Sequence, residues 1–167
     1  MAGKDLKALF IHTLKDVYAA EQAILKALPT MASAARSGAL KEAFEAHRKE
    51  TEGQVRRLEQ VFKLLGEQAQ GVPCQAIHGI ITEGEEVTRE FRGGDASDAG
   101  LIASAQAVEH YEIARYGTLR AWAQQLGMDE AVQLLETTLG EEESTDELLS
   151  ELAEEVINPA ASGGRAE

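Results

Sequence analysis

The chain's 167 residues suffice for one domain, and its hydrophobic (44%) and charged (27%) fractions are those of a folded globular protein rather than a disordered one. Three prolines and 5% aromatic residues, set against plentiful Ala, Leu, Glu, Gln and Arg, point away from a sheet-rich sandwich and toward an all-α fold. With 29 acidic and 16 basic residues the formal net charge is -13, a surface that repels phosphate backbones, so nucleic acid is not an expected partner.

A first helix is predicted from Phe10, Leu14, Val17, Glu21, Ile24, Leu28 and Met31, which recur at spacings of three and four and line one helical face. Pro29 is expected to bend it. After a break at Ser37-Gly38, a second stripe runs through Leu40, Phe44, His47, Thr51, Gln54, Leu58, Val61 and Leu65 and stops near Gly66. From Gly66 to about Gly100 the chain is richer in Gly, Gln, Pro and acidic residues, with a weaker pattern at Ile77, Ile80, Ile81, Val87 and Phe91. It reads as a crossover carrying a short helix between Pro73 and Gly93-Gly94. A third stripe holds Ile102, Ala105, Glu109, Glu112, Tyr116, Leu119, Ala123 and Leu126; Gly127 closes it and Asp129 is the expected N-cap of the next helix. The fourth stripe is Ala131, Leu135, Thr138, Glu142, Thr145, Leu149, Leu152 and Val156, stopped by Asn158-Pro159.

A shift of 91 residues lays Val17 on Val108, Glu21 on Glu112, His47 on Thr138, Thr51 on Glu142 and Leu58 on Leu149, so the two helical pairs share a register. Two antiparallel hairpins joined by one long crossover make the ferritin-like form of the four-helix bundle, with a short fifth helix in the crossover. A single domain is expected over residues 1–159, and residues 160–167 are expected to be a disordered tail.

Chemistry enters where charge interrupts the apolar lines, at Glu21, Glu109, Glu112 and Glu142. A carboxylate carried into a helical core is costly unless it is paired, protonated or bound to a cation. All helices rise equally per residue, so folding the first hairpin near residue 36 sets Glu21 level with position 51, and folding the second near 127 sets Glu112 level with 142. Every helix then brings candidate ligands to one layer: Glu21 from the first, His47 and Glu50 from the second, Glu109 and Glu112 from the third, and Glu142 from the fourth, where Glu141 competes with it. Carboxylates with one or two imidazoles and no nearby thiolate suit two iron ions, with manganese as the alternative, better than zinc or an iron-sulfur cluster. Di-iron bundles carry a Glu-x-x-His on two of their helices. The matching slots here are Thr51-x-x-Gln54 and Glu142-x-x-Thr145, and His47-x-x-Glu50 offers the reverse order one turn earlier. Blander readings stand beside these. Glu109 and Glu112 could form a solvated edge, His47 could be a core histidine bonded to Glu50 or a tyrosine, Glu50 could lie at the surface, and Tyr18, Tyr111 and Tyr116 could simply fill the core.

The segments Leu14-Lys15-Asp16-Val17-Tyr18 with Glu21, His47-Arg48-Lys49-Glu50-Thr51, Val108-Glu109-His110-Tyr111-Glu112-Ile113-Ala114 and Thr138-Leu139-Gly140-Glu141-Glu142 resemble the ferritin-like YciE/YciF family of bacterial stress proteins, from about Leu6 to Val156. The resemblance implies a rubrerythrin-related bundle, dimeric, with a dinuclear metal site and a general stress role. Glu109 and Glu112 resemble the Glu-x-x-Glu of rubrerythrin-like third helices, while Gln54 and Thr145 stand where the wider pattern places histidines. That departure removes two ligands from the second metal position. Self-association is also expected because Leu9, Leu25, Ile80, Ile81 and Trp122 are apolar positions off the main stripes. The one cysteine, Cys74, precludes an internal disulfide, and no leader or run of about 18 apolar residues is present. The sequence therefore reads as cytoplasmic and without a membrane partner. Two functions follow: a di-metal oxidoreductase acting on peroxide or dioxygen with an unidentified electron donor, or a structural, partner-binding stress protein whose metal site is degenerate.

Overall fold

A computed structural model describes residues 4–163, all in helices, turns and short connections, with no strand among the described residues. Helix α1 spans Leu6–Ala34, α2 Gly38–Leu65, α3 Gln75–Glu90, α4 Ser97–Gln125, α5 Asp129–Leu152 and α6 Asn158–Ala161. A π-helical turn over Ala153–Ile157 joins the last two. The helices α1 and α2 form one hairpin, α4 and α5 the other, with α1 against α4 and α2 against α5. Contacts of Glu50 with Thr145, Gln54 with Glu141 and Arg57 with Thr138 show that α2 and α5 run antiparallel. The crossover helix α3 packs across α4 and α1.

Local chemistry sets the ends of these elements. The Asp5 carboxylate accepts from the Ala8 N–H at 2.8 Å and the Ser37 hydroxyl accepts from the Leu40 N–H at 3.4 Å, capping α1 and α2. At the other end of α2, Gly66 takes φ 69°, with its N–H on the Lys63 carbonyl and that of Glu67 on Phe62. Gly127 repeats the motif at φ 69° after α4, with bonds to Gln124 and from Met128 to Ala123. Both close a helix in the left-handed conformation that glycine adopts without a Cβ penalty. The N-cap of α5 is Met128 rather than Asp129, which is instead the first helical residue with its charge at the positive end of the helix. Helix α1 continues through Pro29 without interruption.

The 91-residue offset is realised in the elements: α1 and α4 begin at Leu6 and Ser97 and end at Ala34 and Gln125, while α2 and α5 begin at Gly38 and Asp129. The predicted core lines are buried through their middles, while Met31, Leu65, Leu126 and Leu152 near the helix ends are half-buried and one residue at the C-terminal end is exposed. The π-helical turn takes more residues per turn than an α-helix, so the buried line steps from Leu149 to Ala153 and Ile157, leaving the expected core residue Val156 48% exposed. The chain also does not stop at Asn158-Pro159, since Ala160 and Ala161 are helical and the turn extends to Gly163. The rest of the expected disordered tail, residues 164–167, lies outside the described residues.

The core divides into two clusters, one around Ile24, Leu28, Phe44, Ile77 and Leu101 and the other around Phe10, Leu14, Phe62, Tyr116 and Leu135. Between them lies the layer of buried acidic residues. Asp98, at the start of α4, accepts the backbone N–H groups of Arg36 and Ser37 at 2.8 and 2.7 Å, tying the first hairpin's turn to the second hairpin.

Candidate metal centre

Glu21, Glu109, Glu112 and Glu142 are all at most 1% exposed, and His47 is 3% exposed. Each lies on its helix's inward stripe, the consequence of the three-and-four spacing that carries the neighbouring Leu, Val and Ile inward. His47, Glu109, Glu112 and Glu142 each offer a ligand atom within 4.8 Å of the others. His47 Nε2 lies 3.1 Å from Glu109 Oε1, yet neither imidazole nitrogen is aligned for a hydrogen bond. That spacing is close to the separation of about 3 Å between two adjacent ligands of an octahedral ion bound at about 2.1 Å.

Glu21 stands beside this group, one oxygen accepting a hydrogen bond from the Tyr116 hydroxyl and the other unpartnered. Glu50 does not join the four. It is half-exposed at the margin, 3.8 Å from His47 Nδ1 and 3.4 Å from the Thr145 hydroxyl that donates to it. Glu141 and Glu142 separate cleanly: Glu142 points into the layer, and Glu141 pairs with Arg57 and accepts from the Gln54 amide at 3.1 Å. Gln54 and Thr145, the two slots where histidines were expected, are thus occupied with carboxylates at the α2–α5 seam. Tyr116 is the contributor that sequence reasoning read as core filling, and its place on the Glu-bearing stripe of α4 was the signal. Tyr111 and Cys74 lie apart, in a chain from Cys74 Sγ to the Tyr111 hydroxyl (3.0 Å) and on to Asp16 (2.9 Å).

Electrostatics of the bare layer favour protons on the carboxyls. Burial and then the charge of Glu142 push Glu21 up to about 8, and burial pushes Glu109 up to about 7. Burial with the neighbouring carboxylates raises Glu112 and Glu142 well above the ordinary range. For His47, burial acts against the imidazolium, but the Glu50, Glu142 and Glu21 carboxylates outweigh it and raise its pKa. The same imidazole beside Glu50 lowers that half-exposed carboxyl. Among the described residues, every buried side-chain nitrogen or oxygen without a hydrogen-bond partner belongs to these five buried residues or to Gln54. Buried polar atoms are partnered almost everywhere in folded proteins, so the orphans gathered here set this layer apart from the rest of the described residues. The donors, carboxylate oxygens and one imidazole, fit iron or manganese.

A helical bundle whose two hairpins converge on a buried histidine and carboxylate layer is the class that fold and site define. Comparison places it more narrowly. Residues 5–162 match a family described as a domain of unknown function, DUF892, and the chain belongs to that family. It is 43% identical over 159 residues to Protein YciF of Escherichia coli K12, covering 95% of this chain and 96% of that one. The crystal structure of the E. coli stress protein YciF superposes with a TM-score of 0.88 at 41% identity, covering 96% of this chain and 99% of the other. YcfI from Rhodopseudomonas palustris, provisionally designated a structural protein, gives 0.86 at 47% identity over 88% of this chain and 94% of its own. No helix among the described residues is long and apolar enough to cross a membrane.

Proposed function

We propose that this protein binds iron or manganese at the His47, Glu109, Glu112 and Glu142 cluster, with Glu21 as the further carboxylate for a second ion, and that it serves a stress response by reducing peroxide or dioxygen. The observation that carries the reading is that, apart from Gln54 Oε1, every unpartnered buried side-chain nitrogen or oxygen among the described residues belongs to these five residues. Two bound ions of variable valence would supply the two electrons that reduce peroxide to water. The chain's own residues do the rest. Four inward carboxylates balance the ionic charge, and apolar clusters flank the layer above and below. The Tyr116 hydroxyl, held protonated by burial and by Glu21, fixes one Glu21 oxygen and leaves the other directed at the layer.

Elemental analysis of protein purified without chelator, followed by anaerobic Fe(II) titration, tests the reading; saturable uptake of one to two equivalents is the expected result. Glu112→Gln keeps the side-chain shape and removes one charge, so it lowers metal content and peroxide turnover while the metal-free fold is retained or gains stability. Uptake no greater than adventitious, or a variant unchanged in stoichiometry and reactivity, would replace this reading with that of a structural stress protein.

A further inference from the structure

We propose that the cavity beside the metal layer is a binding site for a medium-chain carboxylate, its anionic head at Arg89 and Arg92 and its alkyl tail directed at the His47 and Glu109 edge. The cavity measures about 370 Å³, inside the range of about 300–1,000 Å³ usual for small-molecule sites. Its middle is walled by Ile24, Leu28, Phe44, Ile81, Val108 and Leu149. At the inner end His47 and Glu109, both buried, form part of the lining; at the outer end the lining includes the exposed Glu85, Arg89 and Arg92. The site is therefore apolar along its length and polar at both ends.

Arg89 and Arg92 are the two arginines that line this cavity, and like Arg56, Arg115 and Arg120 they take part in no ion pair among the described residues. In a chain of net charge -13, two unpaired guanidiniums at one rim, against the single Glu85, mark where an anion is held, and the planar guanidinium fork matches a carboxylate. A small anion would leave the apolar walls wet, and an uncharged alkane would leave the arginines unused. An amphipathic acid satisfies both. Decanoate, a carboxylate head on a short alkyl chain, is a small-molecule ligand of the size that cavities in this range hold.

The role of this cavity as a substrate site rests on the metal reading above, whereas its ligand chemistry rests on the cavity alone. Calorimetric titration of the full chain with decanoate, metal-free and Mn(II)-loaded, tests both. Saturable one-to-one binding is expected, weakened roughly tenfold or more for decanol, for acetate and for Arg89→Glu combined with Arg92→Glu, whose exposed positions leave the fold undisturbed. Ala27→Trp, on the half-buried wall, weakens decanoate binding by occupying the tail's space. In the Mn(II)-loaded protein, paramagnetic broadening of bound decanoate is greatest at its terminal methyl. The proposal is overturned if decanoate does not bind saturably, if the charge-reversed protein binds it equally well, or if broadening is greatest at the carboxylate end. Mn(II) uptake without decanoate binding removes this proposal and keeps the metal centre, and decanoate binding without Mn(II) uptake does the reverse.

Discussion

Glu21 and Glu112 occupy equivalent places in the two hairpins, yet Glu21 has a tyrosine hydroxyl beside it and both oxygens of Glu112 are without partners. Their protonation couples the site to stability. In the unfolded chain a glutamate titrates near its ordinary 4.5, whereas in the fold Glu21 is raised to about 8 and Glu109 to about 7. Below about pH 4.5 both states carry these protons and no penalty arises; as pH climbs, the unfolded chain ionises first, so stability declines until the folded-state values are passed. The melting temperature of metal-free protein should therefore fall between about pH 5 and pH 8, and Mn(II), which binds the ionised forms, should flatten that slope. A melting temperature of metal-free protein that rises across this interval would contradict the assignment. At this scale most of the site was legible in the sequence, because a Glu on an apolar stripe is conspicuous. Glu50, one position before the inward Thr51, was not resolvable as in or out by spacing alone. The choice between Glu141 and Glu142 likewise depended on Arg57, a partner 84 residues away in the chain.

At the scale of elements, periodicity located all four long helices, and glycine punctuation located the ends of α2 and α4 at Gly66 and Gly127. What it could not supply was the change of phase after Leu152, since no residue in Ala153–Ile157 signals a π-helical turn. The Asp98 clasp on Arg36 and Ser37 was also silent, being a contact across 61 and 62 residues made by a carboxylate that reads as an ordinary first-turn acid. The helix ends yield a sharper test. At Gly127 the φ is 69° and no neighbouring atom lies within 4 Å of the point that a Cβ would occupy, so Gly127→Ala meets no steric obstacle and its cost is purely conformational, about 1–2 kcal/mol. Chemical denaturation should register that loss with an unchanged slope; an unaltered midpoint would mean that the α4–α5 turn relaxes.

For the molecule as a whole, the two hairpins agree in the positions of their helix starts, while their chemistry has parted: His47 on α2 matches Thr138 on α5, and Thr51 matches Glu142. Ligands are consequently distributed unequally around one layer. On the outside, Leu9, Leu64, Phe91, Leu148 and Val156 are between 42% and 48% exposed, whereas Leu25, Ile80, Ile81 and Trp122, expected from the sequence to support self-association, are half-buried. A dimer is the expected species by light scattering at micromolar concentrations, and a monomeric mass throughout that range would refute it.

Helix α3 buries a single side chain fully, Ile77, although it is 16 residues long. Few anchored contacts mean a small free energy of local opening, so its amide protons should exchange with solvent sooner than those of α1, α2, α4 and α5. Since Ile80, Ile81 and Gly84 of this helix form one wall of the cavity, such opening would set how quickly the interior is reached. Retarded exchange confined to α3 upon filling of the cavity is then the kinetic signature to seek, and uniform protection across α1 to α5 would show that access does not run through the crossover.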